Sequence, residues 1–492
     1  MNFYSLASIL GRLLVLLAGF LFLFAVIAEI AYPYEGQGFY FAFSFFITMS
    51  FGLLARAWGD TRRSSHIVSF REGFAVAGLG WVLIALFSCL PAWLSNDIPS
   101  FTDSFFESMS GFTTTGASIL PDIASRGHAV LLWRSFAHWL GGMGIIVLTL
   151  AILPALGIGG LQLYKAEVPG PTPDKLVPKV AETARLLYFV YTLLSILQFM
   201  FLWAGGMSTF ENLCHVFGTM GTGGFSPLNN SIGGYAASGN PRAFYFEIVI
   251  IAFMFLAGTN FSLHYKALKG DLKGYLLDPE FRYYSSIILI SIITISGDIY
   301  IHSDYQDIGQ ILRAASFSVI SVITTTGYAT DDYNLWPGYS KFALVFAMFI
   351  GGCTGSTSGG IKVLRVAALA KEALKEIQHV IHPRKIYTIR FGEEHMSRDV
   401  VRSINAYFLI FIFIYISSIL ALSFTNRDFE TVSTMVVACL ASIGPGLGGV
   451  GPVENYSSLP AYAKWLLSFL MVLGRLELFP ILALMLPRAW VR

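Results

Sequence analysis

Long apolar segments recur along this whole chain, and each is close to the length that a membrane-spanning helix needs. A helix requires about 20 mostly apolar residues to cross the hydrocarbon core of a bilayer. About ten such segments are predicted, at positions 13–30, 39–54, 74–94, 130–153, 186–204, 244–263, 283–301, 342–370, 407–424 and 465–486. Because 55% of the residues are apolar and only 13% are charged, a soluble fold would leave too much apolar surface in water. The sequence therefore predicts an all-α, multi-pass membrane protein.

The charges between these segments predict an orientation. Lysine and arginine are concentrated between segments two and three, between six and seven, and before nine, whereas acidic residues dominate the opposite connections. Basic loops are retained in the cytoplasm, so these loops, the segment Lys165–Lys179 and both termini are predicted to be cytoplasmic. The opposite, acidic face would attract cations. The net charge of +2 is too small to indicate a nucleic-acid partner.

The chain after the first two segments contains a fourfold internal repeat. In each unit a long apolar segment is followed by a semi-apolar stretch too short to cross a bilayer, a Gly/Thr-rich turn and a second long segment. The short stretches, predicted to be re-entrant pore helices, are Ser100–Phe112, Ser208–Met220, Gln310–Ile323 and Phe429–Ala441. The predicted fold has four tandem helix–pore-helix–helix repeats around a pseudo-four-fold pore, plus an N-terminal two-helix hairpin. The predicted boundaries are 1–65 for the hairpin and 66–160, 161–270, 271–385 and 386–492 for the repeats.

Each short stretch ends at a turn, and the four turns align on one glycine. We number them turn 1 (residues 113–117), turn 2 (221–225), turn 3 (324–328) and turn 4 (441–445). Rings of backbone carbonyls can replace the water around a potassium ion, and glycine permits the torsions that aim successive carbonyls at one axis. The predicted potassium-binding filter residues are Thr114, Thr115, Gly116, Thr222, Gly223, Gly224, Thr325, Thr326, Gly327, Ser442, Ile443 and Gly444. The alternative is that these small residues only let membrane helices pack closely.

The second long segment of the third repeat is interrupted by Gly351–Gly360, hereafter the Gly-rich loop. Five glycines in ten residues disfavour a helix, and the Thr and Ser hydroxyls can satisfy the freed backbone groups. Because this break belongs to one repeat only, we predict a flexible gate below the filter, and the alternative is a static kink. The predicted gate residues are Gly351, Gly352, Thr354, Gly355, Ser356, Thr357, Ser358, Gly359, Gly360 and Arg475.

Arg475 lies about ten residues from either end of the predicted helix Trp465–Leu486, at a depth where a charge is costly unless it meets water or a partner. Glu477 is the nearest acid in sequence, but two residues apart on a helix do not face each other. We predict that Arg475 faces the conduction path. The alternative is a structural buried pair.

Together, the repeats, the Gly-rich loop and the segment Leu473–Pro480 resemble the Trk/Ktr/HKT superfamily of potassium transporters. The two extra N-terminal spans are similar to its bacterial TrkH/TrkG branch. The resemblance implies potassium uptake across the bacterial inner membrane, a homodimer, and cytoplasmic TrkA-type regulatory subunits that bind the nucleotide, with no organic cofactor on this chain. Glycine at all four filter positions resembles the potassium-selective members, whereas Gly223 and Pro445 depart from an even ring.

Two other classes of protein share some of these features. A cation-coupled symporter of potassium or sodium would usually show inverted repeats and an intramembrane carboxylate, and Glu29 and Glu477 are the candidate acids. The four repeats instead run in one orientation. An enzyme is not predicted, because the only tempting pair, Glu394 and His395, has no second histidine at metal-ligand spacing.

Overall fold

The computed structural model describes residues 1–61, 70–144, 180–303, 305, 307–384, 388–392, 394–487 and 490. These residues fold mainly into helices, and Arg390–Phe391 (β1) pairs antiparallel with Glu394–His395 (β2). The predicted cytoplasmic segment 165–179 and the second part of the predicted span 130–153 lie outside the described residues.

The helices are numbered in chain order. They are α1 (Phe3–Ala31), α2 (Gln37–Asp60), α3 (Phe70–Ser88), α4 (Leu90–Leu94), α5 (Phe101–Phe112), α6 (His128–Trp139), α7 (Val180–Ala204), α8 (Thr209–Met220), α9 (Gly233–Ala237), α10 (Ala243–Ala257), α11 (Phe261–Leu268), α12 (Lys273–Leu277), α13 (Pro279–His302), α14 (Ile308–Ile323), α15 (Gly338–Ile350), α16 (Val363–Ile381), α17 (Arg398–Leu422), α18 (Phe429–Leu440), α19 (Ala461–Arg475) and α20 (Phe479–Met485). Single 3₁₀ turns occupy Pro33–Glu35, Tyr333–Leu335, Ser423–Thr425 and Gly448–Val450.

Among the described residues, six helices are long and apolar enough to cross a membrane. They are Phe3–Ala31, Gln37–Asp60, Arg71–Leu94, Ala184–Ala204, Pro279–His302 and Arg398–Thr425. The pair α10 and α11, bent by 101°, counts as a seventh if it forms one broken span. These match seven of the ten predicted segments, and the segments predicted at 342–370 and 465–486 are each divided into two helices.

The N-terminal hairpin is held together by glycines that let α1 and α2 touch along their backbones. A Cβ on Gly11 would lie 2.5 Å from the backbone nitrogen of Arg56 and 2.6 Å from the carbonyl oxygen of Gly52. At the open end, the Ser8 hydroxyl donates to Asp60 at 2.6 Å. No hydrophobic effect drives helices together in lipid, so their association depends on close van der Waals packing, which small residues allow.

The four predicted pore helices are present as the half-length helices α5, α8, α14 and α18, which end at the predicted residue or one residue earlier. Each begins at a side chain that accepts a hydrogen bond from an N–H of its own first turn. The capping residues are Ser100, Ser208, Asp307 and Asp428. Such caps satisfy N–H groups that have no partner within the helix. The four-repeat fold is thus confirmed, whereas the residue boundaries between repeats stay predictions.

Breaks in the second helices are shared among the repeats, which corrects the prediction that only the third repeat carries one. α6 passes into a π-helical turn at Leu140–Gly144, and three residues separate the end of α10 from the start of α11. The predicted continuous helix Trp465–Leu486 is also wrong, because α19 ends at Arg475, and Glu477 and Leu478 shortly after it have φ of 57° and 63°. Among the described residues, the longest of these breaks is the one in the third repeat, which contains the Gly-rich loop.

These breaks lie where the second helices meet the carboxyl ends of the half-length helices. A Cβ on Gly141 would overlap the carbonyl oxygen of Phe112, and one on Gly474 would overlap that of Leu440. Because the end of a neighbouring helix fills the space of a side chain, the chain needs glycine there and turns away.

Candidate functional site

The four turns share one backbone conformation. The residue two positions before each glycine has φ between 51° and 57°, at Thr114, Thr222, Thr325 and Ser442. The glycines Gly116, Gly224 and Gly327 have φ of 80° and Gly444 has φ of 101°. Positive φ is uncommon for residues other than glycine, and the sequence indicated it only for the glycines. Its recurrence at four equivalent positions shows that the turns are built alike.

The turns contact one another in cyclic order. A Cβ on the glycine of each turn would crowd the carbonyl oxygen that precedes the glycine of the next turn. The pairs are Gly116 with Gly223, Gly224 with Thr326, Gly327 with Ile443, and Gly444 with Thr115, the last at 2.7 Å. The contacts therefore run from turn 1 through turn 4 and back to turn 1, and the predicted residues form a closed ring.

The hydrogen bonds of the turns show which way their carbonyls face. One N–H of each turn donates to a carbonyl near the end of its own half-length helix: Thr115 to Ser110 (2.9 Å), Gly223 to Gly218, Thr326 to Ser321 and Ile443 to Ala438 (each 2.8 Å). The N–H and C=O of one trans peptide point in opposite directions. The carbonyls of the preceding residues, Thr114, Thr222, Thr325 and Ser442, therefore point away from the helices, into the ring.

The hydroxyl groups at the same level are only partly used by the protein. Thr325 Oγ1 accepts the N–H of Gly359 at 2.7 Å, and Thr222 Oγ1 donates to the Gly221 carbonyl at 2.7 Å. The hydroxyls of Thr114 and Ser442 are buried and have no hydrogen-bond partner among the described residues. Buried polar atoms normally have a partner, so these oxygens suit a ligand that accepts lone pairs, such as a dehydrated alkali cation.

The four turns of the ring differ in their side chains. In turns 1 and 3 two threonine hydroxyls face each other at 2.8 Å, Thr113 with Thr115 and Thr324 with Thr326. Turn 2 has Gly221 and Gly223 at these positions, and turn 4 has Ala441 and Ile443. The odd-numbered turns therefore carry an internal brace that the even-numbered turns lack.

A cavity of about 260 Å³ lies on one side of the ring and is lined by all four glycines together with residues that follow them. Glu454, Asn229 and Asn455 also line it, together with Arg134, so a cation entering here would meet oxygen atoms and one guanidinium. Asn229 donates from its amide to Asp122 at 3.0 Å, and this hydrogen bond is the main cause that lowers the pKa of Asp122. Asp122 therefore stays ionised beside the cavity.

The Gly-rich loop is closed at its base. After α15 ends, the chain leaves at Gly351 and returns so that Lys362 N–H donates to the Ile350 carbonyl at 2.8 Å and Val363 N–H to the Gly352 carbonyl at 3.1 Å. Three glycines of the loop, Gly351, Gly355 and Gly360, have φ near 76° (75° to 77°), which other residues rarely adopt. The base is thus tied by backbone bonds, while the tip depends on contacts to other repeats.

The loop touches the ring on the side opposite the cavity. Gly359 donates to the Thr325 hydroxyl, and a Cβ on Gly359 would overlap the Ala441 carbonyl oxygen. Its tip bonds to the break of the second repeat, where the Cys353 N–H donates to Gly258 O at 2.9 Å and the Thr357 hydroxyl to Ala257 O at 3.1 Å. The loop therefore lies directly beneath the ring and contacts three repeats.

Arg475 joins this loop to the first and fourth repeats. Its guanidinium donates to the carbonyl of Thr357 at 2.9 Å, to that of Gly142 at 2.6 Å, and to that of Gly141. Arg475 belongs to the fourth repeat, the two glycines to the break of the first, and Thr357 to the loop. The structure thus brings Arg475 together with the predicted gate residues.

The far side of the loop carries charged residues that the sequence analysis missed. Glu280, at the start of α13, accepts the Thr354 N–H (2.8 Å), the Thr354 hydroxyl (3.1 Å) and the Leu364 N–H (3.1 Å). Glu477 pairs with Arg365, which confirms that Glu477 and Arg475 point to different partners. Nothing in the sequence marked Glu280, because an acid in the first turn of a helix is ordinarily a cap.

Comparisons with known proteins agree with these observations. A family model described as TrkH, cation transport protein, matches residues 37–489. The Trk system potassium uptake protein TrkH of Salmonella typhimurium (strain LT2) is 37% identical over 494 residues and covers 100% of both chains. TrkG of Escherichia coli (strain K12) is 36% identical over 447 residues, 90% of each chain. The crystal structure of the potassium transporter TrkH from Vibrio parahaemolyticus superposes with a TM-score of 0.87 at 33% identity over 100% of both chains.

Proposed function

The chain belongs to the TrkH family of cation transport proteins, and we propose that it is a potassium uptake transporter of the Trk system in which potassium crosses the membrane through the four-turn ring. Its relatives are named as potassium uptake proteins, and its apolar helices make it a multi-pass membrane protein. The charge pattern supports cytoplasmic termini, with the cavity on the outer side, and the bacterial relatives support an inner-membrane location.

The single observation that carries the proposal is the cyclic contact of the four turns. It aligns carbonyl and hydroxyl oxygens from four repeats around one opening. A potassium ion that loses its hydration shell needs such oxygens in its place. Irregular backbone is tolerated at membrane depth where it is buried in protein or lines a water-filled path, and the ring satisfies this condition.

The test is a reversal-potential measurement on the purified chain in liposomes, with potassium on one side and sodium on the other. A reversal potential far from zero, with the sign that opposes potassium movement down its gradient, is expected. A potential close to zero in the same gradient would contradict conduction through a potassium-selective ring.

We assign the Gly-rich loop the role of the gate. It contacts the ring from the side opposite the cavity and is held by hydrogen bonds to turn 3 of its own repeat and to the second and fourth repeats. An ion leaving the ring would meet this loop next, so flux requires the loop to move. When the loop moves, the hydrogen bonds at its tip break while those at its base remain. The strength of the tip bonds therefore determines how often the loop opens.

Arg475→Ala is expected to raise basal potassium flux about tenfold. The change removes the charge-assisted hydrogen bonds that tie the loop to the first and fourth repeats, and each such bond is worth roughly 1.5 to 3 kcal/mol. Potassium-loaded liposomes with an external flux dye measure the rate. Arg475→Lys keeps the charge but not the three-way fork, so an intermediate flux is expected. An aggregated Arg475→Ala protein, with a stable Arg475→Lys variant of parental flux, would favour the structural role.

Glu280→Ala is expected to raise basal flux about three- to fivefold. One carboxylate oxygen accepts three donors from the loop and the start of α16, and loss of acceptors leaves those donors to find water. Glu280→Gln keeps an acceptor oxygen and serves as the matched variant, for which a flux nearer to the parental value is expected. Equal flux in all three proteins would show that Glu280 does not restrain the loop.

Homodimerisation and docking of TrkA-type, nucleotide-binding subunits on the cytoplasmic face are further parts of the proposal. They rest on family membership and on the charged helix α16, which carries Lys371 and Lys375 beyond the loop. Sedimentation of the detergent-solubilised protein tests the dimer, and flux with and without an added regulatory ring and nucleotide tests the coupling. For the symport alternative, Glu477 is committed to Arg365 and Glu29 is exposed near the end of α1, so no specific observation favours it.

A further inference from the structure

A buried ion pair lies behind turns 1 and 2. Glu107 of α5 and Arg134 of α6 are 3% and 6% exposed, and Arg134 Nε lies 3.2 Å from Glu107 Oε1. Such a pair contributes little stability compared with apolar residues of the same volume. What the two side chains contact is therefore more informative than their attraction.

Glu107 fastens the chain that leaves turn 1. Its carboxylate accepts the Ser118 hydroxyl at 2.9 Å and the Ile119 N–H at 2.8 Å. Ser118 follows the filter glycine Gly116 by two residues and lines the cavity. The carboxylate thus ties α5 to the segment on the cavity side of the ring.

Arg134 reaches the neighbouring turn. Its guanidinium carbon lies 3.9 Å from the centroid of the Phe225 ring, and Phe225 directly follows Gly224. A guanidinium over an aromatic face is attracted by the ring's quadrupole. One ion pair therefore links the exit of turn 1 to the exit of turn 2.

His138, one helical turn after Arg134, contacts the backbone of Phe225. The His138 Nε2 accepts the Phe225 N–H at 3.2 Å, so Nδ1 carries the hydrogen that is donated to the Gly111 carbonyl at 2.8 Å. The imidazole also occupies the space that a side chain at Gly223 would need. α6 thereby supports turn 2 from outside, where turns 1 and 3 have their own threonine braces.

The carboxylate is particular to the first repeat. The position nine residues before the filter glycine holds Glu107, His215, Ser318 and Met435 in repeats 1 to 4. His215 forms a hydrogen bond with the Tyr235 hydroxyl at 3.0 Å, whereas Glu107 pairs with an arginine. The Glu107–Arg134 pair, hereafter the ion-pair brace, therefore lies beside turn 2, which has glycine at three of its five positions.

We propose that Glu107 and Arg134 are positioning residues that hold turn 2 in register with turn 1 and thereby determine the preference for potassium over sodium. This inference rests on the proposed function of the ring. A looser turn 2 would let its carbonyls close in on the smaller sodium ion, so the permeability ratio changes even where total flux does not. A purely structural pair would alter stability and leave that ratio alone.

The experiment compares three proteins in liposomes by reversal potential. The double variant Glu107→Gln with Arg134→Gln leaves no uncompensated charge, and Phe225→Leu keeps the ion pair but removes the aromatic face. For both, the potassium-to-sodium permeability ratio is expected to fall about threefold or more, which corresponds to the weaker end of the range for cation–π contacts. The matched control is Glu247→Gln with Arg313→Gln, which neutralises a pair between α10 and the early part of α14 and should leave the ratio unchanged.

Parental ratios in a folded double variant, or in Phe225→Leu if the double variant does not fold, would overturn the inference. A shift of equal size in the Glu247/Arg313 control would overturn it too, because any lost ion pair would then suffice. Gly327→Ser, measured in parallel, distinguishes failure of this inference from failure of the proposed function of the ring. If it changes the ratio while the brace variants do not, the ring stands and the brace fails; if it leaves the ratio unchanged, the ring itself fails.

Discussion

Gly327→Ser is expected to reduce the potassium-to-sodium permeability ratio by about tenfold or more, equivalent to a difference of roughly 1.4 kcal/mol. Gly327 has φ of 80°, and a Cβ there would overlap the Ile443 carbonyl oxygen and lie 2.9 Å from Pro445 Cδ. Both the torsion and the crowding must be relieved by moving turn 3 or turn 4. The carbonyl positions then change by a few tenths of an ångström, on the scale that separates the two ions.

Reversal potentials under bi-ionic conditions measure the ratio, and single-ion fluxes show whether conduction persists. Gly297→Ser is the matched control, because a Cβ at Gly297 in α13 meets nothing within 4 Å and its φ is not in the positive region. The control should keep the parental ratio. Equal ratios for Gly327→Ser and the parent protein would refute the assignment of the ring as the filter.

Deleting residues 354–357 is expected to raise basal potassium flux by about tenfold or more, because the deletion removes most of the tip contacts of the Gly-rich loop. The lost groups include the hydroxyl that donates to Ala257 and the carbonyl that accepts from Arg475. The base bonds between α15 and α16 involve residues outside the deletion. The helices should therefore keep their positions while the closing segment becomes too short to bridge the second and fourth repeats.

Dye-based flux from liposomes gives the rate, and the permeability ratio of the deletion variant shows whether the extra flux passes through an intact ring. A parental ratio is expected. Thr357→Ser keeps the loop length and the donated hydroxyl, and serves as the control with parental flux. A folded deletion variant with unchanged flux would leave the loop as a static kink, and a non-selective leak would point to damage of the ring.

Much of the fold follows from local sequence signals. Apolar length predicts the spans, and a semi-apolar stretch of about a dozen residues followed by a Gly/Thr-rich turn predicts each half-length helix. The short stretch with its turn occurs four times, so the prediction for each repeat is supported by the other three. Glycine positions in the turns were predictable for the same reason, because the demand for positive φ acts within a few residues.

The same local reasoning failed where helices break. Leu476 to Leu478 read as helix by composition, yet α19 ends at Arg475. The cause is the carboxyl end of α18, which reaches Gly474 from another part of the fold. The carboxyl end of α5 meets Gly141 in the same way at the π-helical turn of the first repeat. A break that seemed unique to the third repeat is therefore a common feature with one enlarged instance.

By itself, the sequence determined the membrane class, the four units, the four glycine turns and the residues of the loop, because each depends on neighbours along the chain. Only the tertiary structure decided which groups meet: Glu477 with Arg365, Glu280 with the loop, Arg475 with carbonyls of two repeats, and Glu107 with Arg134. A charged side chain buried between helices takes its partner from whichever element packs against it. That choice depends on packing between helices that are distant along the chain, on which the spacing along one segment carries no information.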